Sequence, residues 1–358
     1  MQIDFKNFDI KNILPRTEFE KKVLQFLQEW FSDSETVSVQ TSGSTGIPKV
    51  FEIEKKRMLN SAKMTCDFLG LKEGDTALLC LPVQYISGKM MLVRAIERKL
   101  KVIISVPSSA PEISENIDFC AMTPLQVQNS LDKIHFIKNL IIGGAAVSEN
   151  LKSQLTSSIQ HPASNKIYET YGMSETLSHI ALKQISPIQE EYFTILNDVE
   201  ISVDERNCLK IFAPKLNPEI LQTNDIVELM HFMNSVRKPS VYAQCDKKQF
   251  KFLGRFDNVI NSGGVKIFAE ELENLVKKHI DRDLVFLGKP DETLGEKLIL
   301  VIEDASTPLS MTEIKSQISN LKFENKFHIP KEILFLEKFP RAENGKVLRK
   351  EILKFLTD

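Results

Sequence analysis

The sequence predicts an α/β protein built on a parallel sheet that helices cover on both faces. From about residue 76 to residue 143, short apolar runs alternate with segments whose apolar residues repeat at helical spacing. This alternation is typical of a doubly wound sheet, in which each helix returns the chain to the next parallel strand. The chain has 358 residues, more than one core usually serves, so two domains are expected.

The predicted elements of the first part follow one another closely. Thr17–Phe31 has the apolar spacing of an amphipathic helix. The short apolar runs at Thr76–Pro82 and Lys101–Val106 predict strands, and Gly88–Lys99 between them predicts a helix. From Tyr192 to Phe252 the pattern changes to short alternating segments, which indicate a β-rich subdomain.

The last hundred or so residues predict a separate small α+β domain. The segments "AEELENLVKKHI" and "MTEIKSQISNL" have helical spacing, whereas "DLVFLGKP" and "KLILVIED" are typical of strands. A glycine-containing junction precedes them. We therefore expect a large domain over residues 1–256 and a small mobile domain over residues 257–358.

Composition excludes several classes of protein. Lys and Arg number 46 against 48 Asp and Glu, so no global charge favours nucleic acid or an anionic membrane. The five cysteines are widely spaced without a CxxC pair, which indicates reduced core residues and neither a disulfide framework nor a zinc site. The first residues lack a leader pattern, and no apolar stretch reaches the ~20 residues of a membrane span. We expect a cytoplasmic protein and leave a homo-oligomer open.

A polar loop, "TSGSTGIPK", occupies Thr41–Lys49. Its backbone N–H groups and hydroxyls suit phosphate oxygens, and Gly43 and Gly46 permit the backbone to wrap an anion. From composition alone, a polar surface turn without ligand is an equal alternative. The P-loop pattern GxxxxGK[ST] does not fit, since proline precedes Lys49 and valine follows it, so a P-loop kinase is disfavoured.

Five further motifs follow this loop in order. They are "GGAAV" (Gly143–Val147), "YETYGMSET" (Tyr168–Thr176), "TNDIVEL" (Thr223–Leu229), "GRFDNVINSGGVKI" (Gly254–Ile267) and "PRAENGKVLRK" (Pro340–Lys350). With the loop, the ordered set closely resembles the adenylate-forming superfamily of acyl-CoA synthetases, luciferases and peptide-synthetase adenylation domains. The resemblance covers nearly the whole chain. Only forty residues precede the loop, fewer than the family usually has, so we expect an N-terminally shortened large domain.

The resemblance implies a nucleotide site and its cofactors, ATP, Mg²⁺ and coenzyme A. The loop residues that would hold the phosphates are Thr41, Ser42, Gly43, Ser44, Thr45, Gly46 and Lys49. The residues implied around adenine, ribose and the α-phosphate are Gly143, Gly144, Ala145, Tyr171, Gly172, Ser174, Asp225 and Arg255. A flat ring such as that of Tyr171 suits a base, and a hard carboxylate such as that of Glu175 suits Mg²⁺.

The resemblance also implies a mechanism in two half-reactions. Lys346 would catalyse attack of a substrate carboxylate on ATP, giving an acyl-adenylate. Rotation of the small domain about Asp257 would then bring in a tunnel at Gly263 and Gly264, through which the thiol of coenzyme A reaches the acyl group. Taken alone, a lysine in a charged terminal segment is usually solvated, and only the ordered motifs favour a role for Lys346.

The acid is suggested by a more specific resemblance. The segments "LPVQYISGKMMLVRAI", "YGMSETLSHI" and "NVINSGGVKI" resemble the o-succinylbenzoate–CoA ligases of menaquinone synthesis. That acid is an aromatic keto-diacid, whose second carboxylate needs a polar or cationic partner. The residues that we predict around the acid are Tyr85, Ser87, Gly88, Lys89, Arg94, Ser178 and His179. A surface charge for Arg94 and a structural role for His179 stay open.

Two other functions remain open at this stage. One is a CoA ligase for another aryl or medium-chain acid, and the other is a catalytically inactive nucleotide-binding regulator. No aspartate that could hold an α-amine occurs between Leu81 and Gly88, which disfavours activation of amino acids. The expected partner is therefore a small carboxylic acid.

Overall fold

The computed structural model describes residues 1–40, 50–157, 165–230, 249–304, 308–341 and 347–357. Its helices are α1 (Glu18–Trp30), α2 (Lys55–Leu69), α3 (Ile86–Arg98), α4 (Pro124–Gln128), α5 (Glu149–Ser157), α6 (Ala269–Lys277), α7 (Pro308–Ser319) and α8 (Arg349–Thr357). Its strands are β1 (Gln2–Asp4), β2 (Thr36–Gln40), β3 (Val50–Glu54), β4 (Thr76–Leu79), β5 (Lys101–Ile104), β6 (Ile117–Met122), β7 (Ile137–Ile142), β8 (Lys166–Gly172), β9 (His179–Ser186), β10 (Phe193–Ile195), β11 (Glu200–Val203), β12 (Cys208–Ala213), β13 (Asn217–Leu229), β14 (Gln249–Arg255), β15 (Val259–Ser262), β16 (Val265–Phe268), β17 (Leu284–Asp291), β18 (Gly295–Glu303) and β19 (Glu332–Leu336).

One large mixed sheet organises the first part of the chain and confirms the predicted α/β class. Its strand order is β1-β5-β4-β6-β7-β8-β9-β10-β14-β13-β12-β11. The strands from β5 to β8 are parallel, and the strands from β9 onward pair antiparallel. The β-rich segment thus extends the parallel sheet, because β9 pairs antiparallel with β8 and so links the parallel strands to the antiparallel ones.

Helices cover both faces of the parallel strands, as the doubly wound pattern predicts. In β4, Ala77 and Leu79 point into a core that includes residues of α1, α2 and α3. The intervening Leu78 points into a second core that includes residues of α4 and α5. Alternate residues of a strand face opposite sides, so a wholly apolar strand serves both cores.

The predicted helix at Thr17–Phe31 forms as α1, and its start is fixed by side chains. The Thr17 hydroxyl accepts from the Glu20 amide at 3.1 Å, and the Glu20 carboxylate accepts from the Thr17 amide at 3.1 Å. This reciprocal capping satisfies two amides that the helix leaves unpaired. Phe26 and Trp30 on one face of the helix are buried.

A second sheet forms from residues beyond Phe256. Its order is β16-β15-β18-β17, and β19 pairs parallel with β18. α6 packs against it, and Ile267, Phe286 and Leu300 are buried in its core.

Two smaller expectations concern the cysteines and membrane spans. Cys66, Cys80, Cys120 and Cys208 are buried and free, as expected of reduced core residues, whereas Cys245 lies outside the described residues. Within the described ranges, the helices are too short or too polar to cross a membrane.

Candidate active site

A cavity of about 770 Å³ lies at the carboxyl ends of β6, β7 and β8. This edge is where ligands bind in open α/β sheets. Met122, Gly143 and Gly172 line it from the sheet, and Glu270 and Arg349 line it from α6 and α8. Residues of the large sheet and of two helices that follow Phe256 therefore border one cavity.

Tyr171 occupies the middle of the predicted nucleotide end. Its ring packs against Phe193 and Phe250, with centroids 5.8 Å and 5.0 Å away. Its hydroxyl donates to the Asp225 carboxylate at 2.5 Å. Burial, followed by the charge of Asp225, raises the pKa of Tyr171 well above its ordinary value, so the hydroxyl stays a donor.

Asp225 and Arg255 are brought together by the pairing of β13 with β14, in which they are direct neighbours. Their side chains approach to 3.9 Å, and Arg255 also lies 3.6 Å from Asp257. Both Asp225 and Arg255 line the cavity with Tyr171. The structure thus brings these three predicted nucleotide residues together from separate motifs.

The glycines and small residues that follow β7 leave room beside Tyr171. Gly143, Gly144 and Ala145 all line the cavity. A side chain at Gly143 would place its Cβ 2.6 Å from the Thr170 hydroxyl, and Gly144 has a φ of +86°. Gly172 lines the cavity too, and a Cβ there would lie 2.4 Å from the Cα of His179. The close contacts at Gly143 and Gly172 and the left-handed backbone of Gly144 therefore favour glycine, whether or not a ligand binds.

Ser174 lines the cavity, whereas the next residue, Glu175, is exposed and does not. The Asn217 amide donates to the backbone carbonyl of Glu175, and not to its carboxylate, at 3.2 Å. Among the described residues, no group of three or more His, Cys, Asp or Glu side chains could hold a metal ion. Mg²⁺ needs no such group, since it commonly binds one or two carboxylates, water and substrate phosphates.

A second part of the cavity wall, the predicted acid end, is formed by Ser87, Arg94, Ser178 and His179. Arg94 is only 2 % exposed, and its Nη2 donates to the Ser178 hydroxyl at 2.7 Å. Its Nε has no hydrogen-bond partner, and no carboxylate of the described chain pairs with it. Burial lowers the pKa of Arg94 to about 10, so the group still carries its charge at neutral pH.

His179 is 7 % exposed and completes this end of the cavity. Its Nε2 lies 3.0 Å from the Thr65 hydroxyl, and its Nδ1 lies 3.3 Å from the Ser178 hydroxyl. Burial, followed by the charge of Arg94, holds the pKa of His179 well below its ordinary value. The imidazole is therefore neutral at pH 7.

Three residues predicted around the acid do not line this cavity. The Lys89 ammonium instead contacts the Ser38 carbonyl, Glu29 at 3.9 Å and the face of the Phe26 ring. A Cβ at Gly88 would lie 2.3 Å from the carbonyl oxygen of Pro82, so glycine permits close packing there. Tyr85 precedes α3 as its N-cap residue.

Gly263 and Gly264 form the turn of the β15–β16 hairpin, with φ values of +59° and +79°. Two left-handed residues in a two-residue hairpin turn favour glycine strongly. The turn thus explains both glycines without a ligand. The predicted phosphate loop, Thr41 to Lys49, and Lys346 lie outside the described residues.

Sequence reasoning missed a cluster of buried charges that lines the cavity beside Gly143–Val147. Glu169 lies 3.2 Å from Lys152 and 3.0 Å from Lys183, and it accepts from the Val147 amide at 3.3 Å. Although burial opposes it, Lys183 and Lys152 keep the pKa of Glu169 below its ordinary value. A signal was present, because Glu169 lies two positions before Tyr171 on one strand and so shares its face.

Known proteins resemble this chain in sequence and in fold. A family model described as AMP-binding enzyme matches residues 2–206, more than half of the chain. The 2-succinylbenzoate–CoA ligase of Listeria monocytogenes is 24% identical over 388 aligned positions, which cover 97% of this chain and 79% of that protein.

Solved structures extend the likeness to the fold. An acyl-CoA synthetase (AMP-forming)/AMP-acid ligase II-like protein from Dyadobacter fermentans is 31% identical, with a TM-score of 0.63 and coverage of 98% of this chain and 97% of that chain. The o-succinylbenzoate coenzyme A synthetase of Bacillus subtilis, solved with ATP and magnesium ion, is 19% identical with a TM-score of 0.65. The match covers 88% of this chain and 69% of that chain and concerns the fold alone.

Proposed function

Because this chain belongs to the AMP-binding enzyme family, we propose that it is an AMP-forming acid–CoA ligase whose acid is o-succinylbenzoate. In the first half-reaction, a carboxylate oxygen attacks the α-phosphorus of ATP and pyrophosphate leaves. In the second, the thiol sulfur of coenzyme A attacks the acyl carbonyl, the thiol proton is lost, and AMP leaves with the former carboxylate oxygen. Since ATP and coenzyme A are cytoplasmic substrates, we place the reaction in the cytoplasm.

The nucleotide occupies the end of the cavity that holds Tyr171, Asp225 and Arg255. Adenine stacks on Tyr171 beside Gly143–Ala145, and the ribose hydroxyls donate to Asp225. The Tyr171 hydroxyl and Arg255 already orient that carboxylate, so little reorganisation accompanies binding. The loop Thr41–Lys49 receives the β- and γ-phosphates.

Glu175 and Lys346 act on the charge of the first half-reaction. Mg²⁺, when bound, neutralises phosphate charge, and the accessible carboxylate of Glu175 fits a site completed by phosphate oxygens and water. Lys346 stabilises the charge that develops as pyrophosphate departs. Ser174, at the cavity wall, donates to the α-phosphate.

The second half-reaction needs a rearrangement about Asp257, at which we place the boundary between domains 1–256 and 257–358. The large sheet ends with Arg255 and the second sheet begins with Val259, so few residues connect them. Rotation there brings the hairpin turn at Gly263 and Gly264 to the thiol arm of coenzyme A. A Cβ at Gly264 would meet no atom within 4 Å, which supports an open approach to this turn.

The observation that favours this acid is the burial of Arg94 without a carboxylate partner in the described structure. A buried guanidinium without a carboxylate partner is costly, so such a group is usually satisfied by an anionic ligand. It lies in the same cavity as Tyr171, and apolar side chains such as Ile86, Met122 and Leu177 line the space. An aromatic acid with a second carboxylate matches this combination of apolar walls and one buried cation.

The test measures pyrophosphate release from ATP and Mg²⁺ with o-succinylbenzoate, benzoate, octanoate or mixed amino acids, with and without coenzyme A. We expect preference for o-succinylbenzoate and its CoA thioester as product. Arg94→Lys keeps the charge but changes the donor geometry, and should raise the KM for o-succinylbenzoate while the KM for ATP stays constant. Preference for another acid would replace the substrate, and binding of ATP without pyrophosphate release from any acid would indicate an inactive regulator.

A further inference from the structure

We propose that Thr65 and His179 are positioning residues that hold Ser178 and Arg94 ready for the second carboxylate of the acid. The inference rests on the proposed function, because it takes that carboxylate as the anion at Arg94. Neither Thr65 nor its helix belongs to any of the motifs. Thr65 lies on α2, 113 positions before Ser178, and is fully buried.

The direction of each hydrogen bond follows from Arg94, which can only donate. Its Nη2 donates to the Ser178 hydroxyl oxygen, so the Ser178 proton is free to point elsewhere. The nearby acceptor is Nδ1 of His179, at 3.3 Å. We assign the Ser178 proton to this acceptor, which leaves Nδ1 unprotonated and places the proton of the neutral imidazole on Nε2.

From His179, the hydrogen bonds continue to the backbone of α2. The Nε2–H group of His179 donates to the Thr65 hydroxyl oxygen at 3.0 Å. The Thr65 hydroxyl then donates its own proton to the Ser61 carbonyl oxygen at 3.1 Å. Ser178, His179 and Thr65 each use one donor and one acceptor, which gives this hydrogen-bond relay, Arg94–Ser178–His179–Thr65–Ser61, a single direction.

A neutral His179 is required for this arrangement. A proton on Nδ1 in addition to Nε2 would compete with the Ser178 hydroxyl and would place a second positive charge beside Arg94. Burial of His179 favours the neutral form, in agreement with the relay. The relay thus fixes one side of the guanidinium, and its buried Nε has no hydrogen-bond partner in the described structure.

The kinetic test compares three variants on α2. Thr65→Val removes the hydroxyl at nearly constant shape, so it should raise the KM for o-succinylbenzoate about tenfold and leave the KM for ATP unchanged. Thr65→Ser restores the hydroxyl and should restore the KM. Ser61→Ala is the matched control, because Ser61 is equally buried on the same helix and its hydroxyl makes no hydrogen bond in the described structure.

A spectroscopic test separates this inference from the proposed function. Nitrogen-15 NMR of histidine-labelled enzyme, with His179→Gln identifying the resonances, should show a neutral imidazole with its proton on Nε2 at pH 7. Thr65→Val should shift the Nε2 resonance, and Ser61→Ala should not. A charged ring, the opposite tautomer, or an unchanged KM in Thr65→Val would overturn the relay.

Failure of the proposed function would look different. Wild-type enzyme would then release no pyrophosphate with o-succinylbenzoate, although the Nε2 proton and its response to Thr65→Val persisted. In that outcome the imidazole spectrum alone decides the relay, and the acid panel decides the substrate.

Discussion

The polar side chains at the two ends of the cavity differ in how far other residues satisfy their hydrogen bonds and charges. At the nucleotide end, Tyr171, Asp225 and Arg255 already satisfy one another. At the acid end, Arg94 is more deeply buried, yet it has one strong hydrogen bond, to Ser178, and no carboxylate partner in the described structure. We infer that the first end is arranged before its ligand arrives and that a ligand completes the second. The nucleotide end should therefore tolerate an empty cavity better than the acid end.

The largest effect should come from Lys346→Ala, which tests whether Lys346 acts in adenylate formation alone. We expect adenylate formation to fall at least about a hundredfold, because developing phosphate charge loses its counter-charge. Thioester formation from a preformed acyl-adenylate should persist, as measured by single-turnover release of AMP. Lys350→Ala, which removes an exposed lysine four positions later, is the control. Equal loss of both half-reactions would contradict the assignment.

A smaller effect is expected from Asp225→Asn, which changes a ribose acceptor while keeping its shape. The KM for ATP should rise about tenfold, since hydrogen bonds to a charged acceptor contribute about 1.5–3 kcal/mol. The KM for o-succinylbenzoate should stay within about twofold, in contrast to Arg94→Lys. Steady-state pyrophosphate release with each substrate varied in turn measures both values. If both variants raised the same KM, the two ends would not be separate sites.

The smallest effect concerns stability and pH at the acid end. The pKa of His179 is lower in the folded protein than in the unfolded chain, so the unfolded chain binds this proton first. Its stabilising contribution is complete above about pH 6.5 and is lost as the pH falls. Between about pH 6.5 and 5.5, wild type should lose about 1 kcal/mol more free energy of unfolding than His179→Gln.

Urea titrations followed by the fluorescence of Trp30 would measure this difference. Trp30 is the single tryptophan of the chain and is buried in the core that α1, α2 and α3 share with the large sheet. Parallel pH dependences in the two proteins would show that His179 can accept a proton in the folded state. That outcome would contradict the proposed difference between the nucleotide end, whose polar groups satisfy one another, and the acid end.

The sequence by itself determined the family and the α/β class, and it predicted the residues of the nucleotide end. Each of those residues lies in a contiguous motif, and motifs at strand ends meet at one edge of a sheet because parallel strands align them. The amphipathic period of α1 and its capping residues were likewise local properties. The continuity of the twelve-stranded sheet was not a local property, because it depends on how β9 pairs with β8.

Only the tertiary structure decided which of the seven residues predicted around the acid line the cavity. Lys89 and Arg94 are two cations on one helix, and a separation of five residues turns them about 140° apart around its axis. Sequence alone does not say which of those directions faces the cavity, and packing buries Arg94 there while Lys89 turns toward Ser38 and Glu29. Thr65 on α2 contacts His179 although 114 positions separate them in the chain. Contacts between residues far apart in the chain depend on packing, and local sequence patterns do not predict them.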